Sequence, residues 1–151
     1  MSERETTRLV AWSNEMRQVH ERLREALRLV QHSADESALS DLLLYCRGFC
    51  TALDGHHRGE DSTLFPAIGA AHPELRPVLG RLEQDHSMIA YLIGGLTAAM
   101  DRTTDPGELR THVDGLGAVM ENHFRYEERL LLTILETLSL DADPAAALGP
   151  L

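Results

Sequence analysis

Leu53-Asp54-Gly55-His56-His57-Arg58-Gly59-Glu60-Asp61-Ser62-Thr63-Leu64 is the stretch on which the fold turns. On a helix each residue advances about 100°. Measured from His56, Glu60 falls at about 40°, Leu53 at about 60° and Leu64 at about 80°. Glu60 therefore stands in the middle of an apolar stripe, where a carboxylate is costly to bury without a cation or donors around it. His57, at about 100°, flanks the stripe, and Asp61, near 140°, falls at its margin. Residues one turn apart share a face, so His56 and Glu60 can offer an imidazole nitrogen and a carboxylate to one ion.

The same spacing recurs in His123-Phe124-Arg125-Tyr126-Glu127. Glu127 lies about 40° from His123, among Leu116, Met120, Ile134 and Leu138, whereas Glu128 lands near 140°, towards solvent. His20 joins the face of Met16, Leu23 and Leu27, and His86 joins that of Leu79, Leu82 and Ile93. A carboxylate has two oxygens and can bridge two metals, whereas an imidazole terminates one. His20, His56, His86 and His123 with Glu60 and Glu127 are therefore the parts of a dinuclear metal site. His32, His72 and His112 sit at a helix end, in a loop and three turns from the site, and are read as structural. Tyr91 and Tyr126 are read as boundary aromatics, with Tyr126 and Glu128 near enough to support the metals from outside.

Four long helices carry these residues. The first runs from about Glu5 to Gln31, with Leu9, Trp12, Met16, Val19, Leu23 and Leu27 at helical spacing, and Ser33-Ala34-Asp35 breaks it and offers caps. The second runs from about Glu36 to Phe65 or slightly beyond, weakened by Gly55 and Gly59 and ended or kinked by Pro66. The third spans about Leu75 to Met100. The fourth follows Thr103-Thr104-Asp105-Pro106, a cap with proline at the first helical position, and reaches about Leu138. Long helices with short connections predict an all-α, up-down-up-down four-helix bundle over residues 1–140. Residues 141–151, with two prolines and four alanines, are expected to form a loose tail.

The 151 residues carry a net charge of −10, and every basic side chain is arginine. That acidity argues against nucleic acid or an anionic membrane as partner. No stretch approaches the roughly 20 apolar residues of a membrane span, and Met-Ser-Glu-Arg-Glu-Thr lacks a signal peptide's apolar segment, so a cytoplasmic location is the default expectation. Cys46 and Cys50, the only cysteines, are too few for a zinc cage and have no redox Cys-x-x-Cys spacing. They are read as reduced core residues.

The chain resembles the hemerythrin-like, or HHE cation-binding, family over about residues 8–138. The resemblance rests on His20 in Val-His-Glu-Arg-Leu, on His56-His57-Arg58-Gly59-Glu60-Asp61 followed by Leu64-Phe65-Pro66, on His86 in Gln-Asp-His-Ser, and on His123-Phe-Arg-Tyr-Glu127-Glu128. It implies a non-haem di-iron centre with an oxo or hydroxo bridge, with His20 and His56 on one iron, His86 and His123 on the other, and Glu60 and Glu127 bridging. Two departures stand out. Oxygen-carrying hemerythrins have a second histidine one turn after the third-helix ligand, where this chain has Ala90, and their fourth-helix carboxylate is an aspartate five residues after its histidine. Either one iron lacks a ligand and Ala90 leaves space beside the metals, or His57 supplies the ligand from the adjacent helix. The ferritin-like alternative wants two Glu-x-x-His motifs, and Glu83-Gln-Asp-His86 is the only match.

Imidazole and carboxylate together suit iron, with zinc or manganese as alternatives. A pair of irons directs attention to small oxidants: hydrogen peroxide, dioxygen or nitric oxide. Three function classes follow. Peroxide decomposition is favoured, because the resemblance links such activity to members without the full carrier ligand set. The others are reversible dioxygen or nitric oxide binding or redox sensing, and an oxidase or oxygenase acting on an organic substrate.

Overall fold

A computed structural model describes residues 3–36 and 38–150; the side chains at 3–11, 35 and 36 lie outside the described part, Leu9 and Asp35 among them. Four long helices alternate in direction: α1 (Glu3–Glu36), α2 (Leu39–Gly59), α4 (Arg76–Arg102) and α5 (Pro106–Thr137). The second is extended by a π-helical turn (Glu60–Leu64) and α3 (Phe65–Ala71), and a short α6 (Pro144–Leu148) follows the fourth. α1 packs on α2 and α5, and α4 closes the ring against α5 and α2, which is the up-down-up-down bundle read from the sequence. Met16, Leu23, Leu53, Leu82, Ile89, Leu116, Met120 and Leu131 line the interior, all fully buried. No helix among the described residues is long and apolar enough to cross a membrane.

Three local expectations are corrected. Ser33 does not break the first helix: it is buried, one turn beyond the equally buried Val30, and α1 continues to Glu36. Inward packing outweighs the poor intrinsic helix preference of serine, and α2 starts instead from Ala38, without a side-chain cap. Pro66 does not end the second helix. The π-turn passes the Phe65 N–H back to the Glu60 carbonyl, and Pro66 then enters in the first turn of α3, where its missing N–H costs little. The segment 141–150 is not loose; Leu151 lies outside the described residues. Asp143 caps α6 by accepting from the Ala145 N–H at 3.1 Å, and Ala147 and Leu148 are fully buried against the bundle. Alanine and leucine there act as packing residues.

Cys46 and Cys50 are buried and unpaired. Burial pushes their thiols up to about 11 and about 12. Both are therefore protonated core side chains that offer no thiolate.

Candidate metal centre

Midway along the bundle the apolar core gives way to His20, His56, His57, Glu60, His86, His123 and Glu127, each at most 4% exposed. α1 supplies His20, α2 His56 and His57, the π-turn Glu60, α4 His86, and α5 His123 and Glu127. π-turns are rare and frequent at functional sites. Here the turn begins at Glu60 itself, so the wider winding falls where the carboxylate must reach the centre of the bundle.

The donors fall into two groups: His57, Glu60, His86 and His123 in one, and His20, His56, Glu60 and Glu127 in the other. Within each, one donor atom from every residue lies within 4.8 Å of the others, and Glu60 belongs to both. Glu127 also approaches the first group, with its Oε2 3.0 Å from His123 Nε2. Glu60 Oε1 lies 3.3 Å from both His56 Nε2 and His86 Nε2, and Glu127 Oε1 lies 3.6 Å from His20 Nε2. Two ligands each about 2.1 Å from one ion and at right angles to each other are about 3 Å apart. The spacing is that of donors arranged around ions.

Hydrogen bonding supports the same reading. His20 Nδ1 donates to Glu128 at 2.8 Å, His86 Nδ1 to Asp61 at 2.6 Å, and His123 Nδ1 to Asp85 at 3.2 Å. His56 Nδ1 donates to the Leu148 carbonyl at 2.8 Å. An ionised carboxylate or a carbonyl only accepts, so each Nδ1 carries the proton, and each Nε2 of a neutral ring turns a lone pair inward. Such partners are what metal-ligating histidines carry on their other nitrogen. His86 Nε2 and His123 Nε2 then face each other at 3.1 Å, an arrangement that needs a proton or a cation between them. His20 Nε2, His56 Nε2, His57 Nε2 and all four oxygens of Glu60 and Glu127 are buried without a hydrogen-bond partner. Unpaired buried polar groups are rare in folded proteins. Seven within one apolar interior are accounted for if they converge on metal ions, and the donor set fits that use.

Without metal, the two carboxyl groups divide the charge. Burial, together with the charge of Glu127, pushes Glu60 well above the carboxylate range. Burial also opposes charge on Glu127, but the close approach of Glu60, His123 and His20 holds it well below. Burial lowers His56 to about 3, reinforced by the neighbouring His20, and lowers His57 as well. Both rings are neutral and ready to ligate. Burial also disfavours charge on His20 and His123, but their carboxylate partners outweigh it and raise both.

His57 joins the His86 and His123 group and stacks on His86, with centroids 3.9 Å apart. Ala90 must be corrected. It is exposed, and buried Ile89 takes the inward place beyond His86, so Ala90 leaves no space beside the candidate metals. The buried stripe of α4 runs through Leu82, His86 and Ile89, and the position four after His86 rotates off it. Tyr126 belongs to neither group. It lies half-buried at a cleft of about 470 Å³ beside His123 and Asp85, with the guanidinium groups of Arg81 and Arg129 5.6 and 5.4 Å from its ring centre. Glu128 turns from solvent to meet His20, held by Arg24 at 3.0 Å, while Arg24 also pairs with Glu121 at 2.8 Å. His32, His72 and His112 belong to neither group, and Tyr91 is exposed.

Sequence reasoning did not single out Asp61, Asp85 or Arg24 as supports. A signal existed for two of them: Asp85 directly precedes His86, and Arg24 follows His20 by one turn. The Leu148 carbonyl had none, since a main-chain acceptor has no residue type.

Fold and site together define a four-helix bundle with an internal candidate dinuclear metal centre. A family model, the hemerythrin HHE cation binding domain, matches residues 13–141, and the chain belongs to that family. No curated protein and no solved structure matches the chain.

Proposed function

We propose that the protein holds two iron ions and decomposes hydrogen peroxide to water and dioxygen. In this reading His57, His86 and His123 serve one ion, His20 and His56 the other, and Glu60 and Glu127 bridge them. The observation that carries it is the set of unpartnered nitrogens and oxygens converging in an apolar interior. An imidazole and carboxylate set suits iron, and zinc or manganese would compete for it. An iron pair supplies the two-electron redox capacity that peroxide disproportionation requires, 2 H2O2 → 2 H2O + O2.

The chain's own contribution is positioning and exclusion. Three imidazoles against two leave the His20 and His56 half with fewer protein ligands, and hence with room for a small oxidant. Phe124 stacks on His20 at 3.9 Å and limits what reaches that half. Asp61 and Asp85, both partly exposed, hold the Nδ1 protons of His86 and His123 at the solvent edge. A cleft of about 470 Å³, lined by Asp85, His123 and Tyr126, lies beside that half.

Iron-loaded protein should evolve dioxygen from peroxide well above an equal amount of free iron, and zinc-loaded protein should not. Iron-loaded protein no better than free iron would remove the peroxide reading. His57→Ala should weaken one of the two ions and spare the other, seen as a drop towards one iron per chain. Retention of both would show His57 to be a packing residue. The second reading, reversible binding of dioxygen or nitric oxide, gains from His57, since a fifth histidine makes up the ligand that Ala90 does not provide. The organic oxygenase has lost its support with the exposure of Ala90.

A further inference from the structure

We infer that the segment Asp143–Pro150, outside the stretch 13–141 that matches the family model, is a strap that orients His56 and completes the His20 and His56 half of the centre. The inference rests on the metal reading above.

Three of the four bonded imidazoles are steadied by carboxylates borne on the bundle or its π-turn, Glu128, Asp61 and Asp85. His56 alone depends on a group from beyond the fourth helix, the carbonyl of Leu148. That carbonyl is free because α6 ends there. The final carbonyls of a helix have no partner within it, and Gly149, at φ 88°, turns the chain away before another residue can supply one. Asp143 fixes the opposite end of α6 through the Ala145 N–H, and its carbonyl accepts from the Ala146 and Ala147 N–H groups at 2.9 and 3.1 Å. The Trp12 indole N–H, donating to the Leu140 carbonyl at 3.0 Å, ties the approach to the strap down onto α1.

Glycines set the fit. A Cβ at Gly59 would lie 2.9 Å from Gly149 N and 3.0 Å from Ala146 O, and one at Gly149 would lie 2.8 Å from both Cα and N of His56. Backbone meets backbone, with no flexible side chain to yield. Gly55 and Gly59, which weaken α2 as a helix, are the places where the strap lies against it. The strap touches α1, α2 and the π-turn, the elements that bear His20, His56 and Glu60. Loss of the Leu148 carbonyl would leave the His56 ring free to rotate and to present either nitrogen. Groups that orient a ligand in this way are worth about 10–100-fold in metal affinity.

The test compares the whole chain, a chain stopped after Ala142, and Gly149→Val, a single change that forces a side chain into the His56 backbone. Ferrous iron is titrated anaerobically, and bound metal is counted after dialysis against a chelator. The whole chain should keep two ions, while both variants should hold one of them about 10–100-fold more weakly. In a His56→Ala background neither change should weaken binding further. Nitrogen-15 spectra of the metal-free chains give a second reading: the slowly exchanging Nδ1 proton of His56 should be present in the whole chain and lost in both variants. Helical circular dichroism identifies a variant that has failed to fold, and the other then decides. Undiminished binding of both ions in the variants, or an effect that adds in full to His56→Ala, overturns the strap. A whole chain that binds no iron overturns the metal reading instead, and the Nδ1 proton still decides whether the strap holds His56.

Discussion

Glu60→Leu is expected to abolish tight binding of both metal ions and, in the metal-free protein, to raise stability. Glu60 is the one residue common to both donor groups, so its loss removes a ligand from each ion. Partners that merely orient a ligand are worth about 10–100-fold in affinity, and a shared ligand should exceed that. A metal present at about 1,000 times its dissociation constant stabilises the fold by about 4 kcal/mol. With both ions lost, the loaded variant should therefore melt at least about 10 °C below the loaded parent, at about 2–4 °C per kcal/mol for a chain of this size. Without metal the sign reverses. Both oxygens of Glu60 are buried and unpartnered, and relieving one such group is worth about 1–3 kcal/mol. Leucine fills nearly the same volume, so little is lost in packing. Glu127 behaves differently, because it is held ionised beside His20 and His123, with its Oε2 3.0 Å from His123 Nε2, and Glu127→Leu should destabilise both forms. Metal analysis and melting curves with and without chelator check both signs. Two retained ions in Glu60→Leu, or a lower melting point for its metal-free form, would sink the shared-ligand assignment.

The bundle was legible because polar residues broke the apolar stripes at the same depth on four helices. Each candidate ligand read from helical geometry, His20, His56, Glu60, His86, His123 and Glu127, belongs to at least one of the two donor groups. Periodicity sufficed for these because a residue's face depends only on its own helix. It served less well where a neighbour decides. Ser33 remains helical because the interior buries it, and Asp61, placed at the stripe's margin by an ideal helix, reaches His86 from the π-turn. Ala90 shows the same limit from the other side: an angle measured from His86 does not fix where the stripe ends. The strap was invisible for a further reason. Its decisive group is a main-chain carbonyl, and its alanines, prolines and glycine match a loose tail as well as a tight one.

Metal-free and metal-loaded protein should also answer rising pH in opposite directions above about pH 7. In the metal-free fold His20 and His123 are raised above their ordinary value. The stability each contributes is fully present below the unfolded value of about 6.5 and is lost as pH rises through the raised folded one. Glu60, raised far above 4.5 by burial and by Glu127, keeps a proton that the unfolded chain has already released, so it too weakens the fold as pH climbs. Glu127 is lowered, and its contribution is lost only in acid, as pH falls through its folded value. His56 and His57 are also lowered, and they weaken the fold only below about 6.5, where the unfolded chain takes up protons. Above about pH 7 only the raised groups still act, each costing up to about 1.4 kcal/mol per pH unit while its proton remains bound. Bound metal requires the same groups bare. Loading must expel their protons, and affinity must rise with pH. Between about pH 7 and pH 8.5 the melting temperature should therefore fall for chelator-treated protein and hold or rise for loaded protein. Titration calorimetry in two buffers of different ionisation enthalpy should count more than one proton released as both ions bind. Metal-free melting that does not fall across this range, together with loading that releases no proton, would mean that Glu60 keeps none in the metal-free fold.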